Sequence, residues 1–183
     1  MTPVTRNEIL DYVTYGERRD EILEAVLLTK RPRRIHLGDH LTLLFENRDT
    51  VRFQIQEMIR VEQIVKEADI QHEIDTYNEL LGSEGQLGAT LLIEIDDPER
   101  RQELLRKWKG LPQHLYLRLE DGEKAYATFD PRQVGEDRLS SVQYLKFDTA
   151  GRHPVAVGSD HPDVSGETEL LPAQREALAA DLV

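Results

Sequence analysis

Two glycine-centred turns set the terms for this chain. Gly38-Asp39 separates the strand-type runs 34–37 and 41–45, and Asp121-Gly122 separates 115–119 from 124–129. A glycine beside an aspartate supplies the positive-φ residue of a tight hairpin, and so short a connection returns the chain antiparallel. Residues 89–95, 141–147 and 154–157 add three more strand-type runs, rich in β-branched and aliphatic side chains.

Helical signals fill the gaps. Thr5-Arg6-Asn7-Glu8 fits a capping box and predicts a short helix to about Tyr15. Gly16 allows a break, and 18–30 reads as a second helix, with Ile22, Leu23, Val26 and Leu27 at three- and four-residue spacing. Asp49 or Thr50 caps a long helix to about Ala68; Asp69 caps another ending near Leu81, with Gly82 as its stop. Asp97-Pro98 starts a helix that ends at Gly110, and Pro172 opens a last one through Leu182. The expected class is α+β, a mostly antiparallel sheet packed against several helices, in a single domain over residues 1–183. Residues 159–171, and 164–169 in particular, read as a mobile connector.

Composition narrows function by exclusion. A formal charge of -12 argues against a general nucleic-acid binder, which needs a basic surface. The cluster Lys30, Arg31, Arg33 and Arg34 reads as a solvated turn. With no cysteine, thiolate metal sites, cysteine nucleophiles and self-ligated iron–sulfur clusters are excluded, so any metal would need His, Asp and Glu. The apolar runs are too short to cross a bilayer, and Arg6-Asn7-Glu8 does not read as a signal sequence. The expected setting is the cytoplasm, away from membranes.

The densest chemistry lies in 45–62, where charged and amide side chains alternate with apolar ones. On a helical wheel Arg52, Gln56, Arg60, Gln63 and Glu67 form a solvated polar stripe, while Gln54, Glu57 and Glu62 fall within the apolar arc. Gln54 and Glu57, three apart, are expected to share a face and point into a cavity. Glu46, Arg48 and Arg60 join them as candidates for holding a ligand or partner, with the free N–H groups of the helix start nearby. Tyr77, Asn78 and, in Asp160-His161-Pro162, His161 complete the candidate set. His36 and His40 flank a turn and do not form a helical metal pair. Asp69-x-x-His72 is the nearest approach to a bundle-type metal motif, which makes Glu57 and His72 the metal-ligand candidates. No cofactor is indicated.

The runs Leu43-Leu-Phe-Glu-Asn-Arg-Asp-Thr50, Gln54-Ile-Gln-Glu-Met-Ile-Arg60, Asp75-Thr-Tyr-Asn78, Ala89-Thr-Leu-Leu-Ile-Glu94, Ser141-Val-Gln-Tyr-Leu-Lys-Phe147, Asp160-His-Pro162 and Ala180-Asp-Leu182 resemble a bacterial family catalogued as domain of unknown function 3501. Where that family leads one to expect histidine and arginine, this chain has Gln143 and Lys146. The resemblance implies no activity. It implies company, since such genes occur near those for rubrerythrin-like proteins and iron–sulfur oxidoreductases.

Three readings follow. The first is a binding or accessory protein in an oxidative-stress or redox pathway, using 46–60 to hold a redox partner or small anion. The second is a metal-dependent enzyme with a buried carboxylate/histidine site. The third is a homo-oligomer whose two-fold interface is the Gln54–Glu57–Arg60 face.

Overall fold

The computed structural model describes residues 1–182, which hold six α-helices and eight strands. The helices are α1 (Tyr12–Lys30), α2 (Arg48–Glu62), α3 (Glu67–Asn78), α4 (Pro98–Lys107), α5 (Leu111–His114) and α6 (Pro172–Asp181). The strands are β1 (Arg34–Leu37), β2 (Leu41–Glu46), β3 (Gln86–Ile93), β4 (Leu115–Leu119), β5 (Lys124–Thr128), β6 (Val142–Asp148), β7 (Pro154–His161) and β8 (Val164–Glu169). All pair antiparallel, in the order β1-β2-β3-β6-β5-β4-β7-β8, and the sheet curls into a nearly closed barrel.

The barrel follows from period-two alternation. Leu41, Leu43 and Phe45 of β2, Leu87, Ala89, Leu91 and Ile93 of β3, and Leu145 and Phe147 of β6 point inward. Ladder partners share a face, so Leu91 sits opposite Gln143 and Leu87 opposite Phe147. Ala127 is the other neighbour of Phe147, a small residue that makes room for a ring. The two predicted turns carry the strain expected of them, with φ of +61° at Gly38 and +88° at Gly122.

The two edge strands, β1 and β8, face each other across a seam. Helix α6 covers it, inserting Leu178 and Leu182 into the barrel core. Asp181 of α6 takes a bidentate bond from Arg33, at 2.7 and 2.9 Å, where both side chains are about nine-tenths buried. The basic cluster is therefore only partly a solvated turn: Arg33 is a structural cation. Residues 164–169, read as a connector, form edge strand β8 instead, because Ala156 to His161 offer a free ladder edge.

Helices α1, α2 and α3 form an outer layer with its own core of Val51, Ile55, Ile59, Ile70, Ile74 and Leu81. Val4 and Ile9 of the N-terminal segment complete that core. Helix α1 runs through Gly16 without a break, capped by Asp11, whose carboxylate accepts from the Val13 and Thr14 N–H groups. Packing of fully buried Tyr15 outweighs the local glycine cost. Helix α2 stops at Glu62 rather than Ala68, since Gln63 adopts a left-handed φ of 51° and returns its N–H to Ile59 and Arg60.

Candidate functional site

The polar residues of α2 turn out to face other parts of the same chain. Glu57 accepts from the Tyr15 hydroxyl at 2.8 Å and from Arg19 at 2.8 and 2.9 Å, with Arg60 at 3.3 and 3.4 Å. The Arg19 guanidinium, with Arg60 and Tyr15, holds this carboxylate at about 2, well below its ordinary 4.5, against the opposing effect of burial. Burial, followed by the bond to Glu57, pushes the Tyr15 phenol up. Gln54 does not share this setting. It reaches toward α3 and the Tyr77 hydroxyl, whose pKa burial raises and Gln54 partly restores. Glu57 looks to α1 and Gln54 to α3, and all three side chains of the Gln54–Glu57–Arg60 face are half-buried.

The other candidates are similarly engaged. Glu46 is buried on the outer side of β2 and accepts from the Thr90 hydroxyl at 2.7 Å and from Thr50. Arg48 donates to Glu8 and to the Pro3 carbonyl. Asn78 binds both backbone groups of Val4, at 2.8 and 2.9 Å. Gln56, assigned by periodicity to the solvated stripe, is 4% exposed and does the same for Leu10, at 2.7 and 3.0 Å. A primary amide presents one donor and one acceptor side by side, as a neighbouring strand would. These two amides therefore hold the N-terminal segment onto the helices in place of a ladder.

The metal-ligand pairing is not formed. Glu57 is enclosed by arginines and a tyrosine, and His72 is exposed on α3. Among the described residues no group of three or more His, Asp or Glu could hold a metal ion. His161 is buried, its Nδ1 accepting from the Asp163 N–H at 3.2 Å and its ring edge-on to His114 at 5.2 Å. Burial, then His114, holds its pKa below the ordinary imidazole value. Its neighbour Asp160 bonds the same His114 and accepts from the Tyr126 hydroxyl.

One open site is a cleft of about 560 Å³ between the C-terminal end of α3 and the outer face of β5 and β6. It exists because β5 and β6 pair only at Ala127↔Phe147 and Thr128↔Lys146 before the chain leaves the sheet at Phe129. Gln133 fills the vacated ladder position with a third amide clamp, bonding the Tyr144 N–H at 2.7 Å and C=O at 3.2 Å. Tyr77, Leu80, Phe129 and Tyr144 give the cleft an aromatic and apolar lining. Of the sequence candidates only Tyr77 lines it, with Gln54 of α2 near its hydroxyl. Tyr144 and Lys146 could have been found from the alternation of β6, which turns both outward; nothing local marks Phe129 or Gln133.

Comparison with known proteins agrees with this architecture. The sequence profile of the family described as "Protein of unknown function (DUF3501)" matches residues 3–182. A crystal structure at 1.90 Å resolution, of a novel protein of unknown function from Burkholderia pseudomallei K96243, is similar over 100% of both chains, with 31% identity and a TM-score of 0.91. No curated protein matches. Nearly the whole chain is spanned by one profile, and the chain belongs to the DUF3501 family.

Proposed function

We propose that this protein is a binding or accessory protein whose ligand, or a side chain of a partner, occupies the cleft between α3 and β6. One observation carries the reading. Glu46, Arg48, Gln56, Glu57 and Arg60 are committed to the chain's own segments, whereas the cleft keeps an aromatic lining and polar groups open to solvent. A concave, mostly apolar site with a few polar groups is the usual form of a small-molecule site. The redox setting, with an iron–sulfur oxidoreductase or rubrerythrin-like partner, rests on the family's gene company, and the strongly acidic composition is compatible with a basic partner surface.

The test is a thermal-shift screen of the wild-type protein and Tyr144→Ala, alongside affinity capture with both. A cleft ligand at about 100 times its Kd raises the wild-type Tm by about 5 °C or more and leaves the variant unmoved. No ligand-dependent shift, together with capture that recovers no redox protein, overturns the proposal.

A further inference from the structure

The charges around the cleft specify more than an apolar ligand. Asp130 on its rim is matched by Arg132, which bonds it through Nε at 2.8 and 3.0 Å. That leaves Glu79 on the α3 wall and Lys146 on the β6 wall, one of each sign. Among the described residues neither takes part in an ion pair. Lys146 is half-buried, on the wall opposite Glu79. Glu79 caps α3, and the last turn of that helix has no basic residue. The helix dipole adds partial negative charge beside the carboxylate, a setting that favours a cation. Between the two walls lie the rings of Tyr77, Phe129 and Tyr144.

We infer that the cleft binds a small zwitterion with an aromatic body, of about the size of a dipeptide with free termini. Its carboxylate meets Lys146, its ammonium meets Glu79 and the end of α3, and its ring lies among the three aromatic side chains. Two residues of extended chain separate the two charges by about 7 Å. This rests on the cleft being the binding site, and names what it takes.

The experiment is a two-dimensional NMR titration of the whole protein with phenylalanylglycine, its N-acetyl derivative and its C-terminal amide. The free dipeptide is expected to move the amide signals of Tyr77, Leu80, Phe129, Tyr144 and Lys146, and to bind at least about ten-fold more tightly than either blocked form. In Lys146→Gln its affinity falls to that of the amide, while the amide itself is unaffected; Glu79→Gln does the converse with the N-acetyl form. Both variants change one solvent-reachable side chain, and the spectrum of each reports whether it is folded. Equal affinity for all three probes, shifts elsewhere in the molecule, or no shifts up to the solubility limit overturns the inference. If the probes fail but another compound shows a Tyr144-dependent thermal shift, the cleft remains a binding site and only the zwitterion is lost.

Discussion

Two arginine–carboxylate pairs of nearly the same geometry hold two different parts of this molecule. Arg33–Asp181 seals the barrel seam at 2.7 and 2.9 Å; Arg19–Glu57 joins α1 to α2 at 2.8 and 2.9 Å. They differ in their access to water. The seam pair has side-chain exposures of 10% and 7%, whereas Arg19 and Glu57 have 31% and 18%. In the seam, desolvation makes an unpaired partner very costly and the intact pair only modestly favourable. In the helix layer the charges keep part of their hydration, and a second arginine and a tyrosine share the carboxylate. The same bond thus closes the barrel against alternatives in one place and adds stability in the other.

The largest expected effect comes from splitting the seam pair. Asp181→Ala strands the Arg33 charge and should cost about 3–5 kcal/mol, lowering Tm by about 10 °C. The double variant Arg33→Met/Asp181→Leu should recover most of that loss. If it stays as unstable as the single variant, the pair is itself the source of stability and the contrast collapses.

Glu57→Gln comes next, at about 2–3 kcal/mol near neutral pH, measured by urea unfolding. The sign follows from the lowered pKa. Between about 2 and 4.5 the unfolded carboxyl binds its proton first, so the stability from Glu57 is complete above 4.5 and lost as pH falls toward 2. The wild-type protein should therefore lose stability more steeply across that window than the variant does. Parallel pH profiles would show that Glu57 is not the responsible group.

Smaller effects distinguish the amide clamps. Gln56→Ala and Asn78→Ala should each cost about 1–2 kcal/mol, with hydrogen exchange speeding up at Leu10 in the first and Val4 in the second. Uniformly faster exchange would mean that the N-terminal segment and the helices open together. The smallest change is expected inside the barrel. Gln143 is fully buried, its amide donates to the Ser140 carbonyl, and its Oε1 has no partner among the described residues. Gln143→Met, of similar volume, should leave stability within about 1 kcal/mol of wild type or raise it.

Local rules reached the elements whose causes are local. The hairpin turns, the Asp97-Pro98 helix start and the strand runs that form β2 and most of β3 all lie within a few residues of their signals. The polar side chains escaped because their partners are distant in sequence. Gln56 reads as solvated until Leu10, 46 residues earlier, is laid against it, and Arg33 until Asp181 arrives 148 residues later. Barrel closure was missed for the same reason, since each hairpin is legible alone and the meeting of β1 with β8 is not. The cleft depends on where β5 and β6 stop pairing, a property of register between strands that neither segment records.

The seam also has a consequence for how the chain is made. Synthesis delivers β1 early and α6 only after all eight strands, so a growing chain carries Arg33 without its counter-ion and β1 without its cover. Closing so long a loop is slow, and bare strand edges are templates for wrong partners. Throughout elongation the nascent barrel is an open sheet with two such edges, and the emergence of α6 ends that exposure.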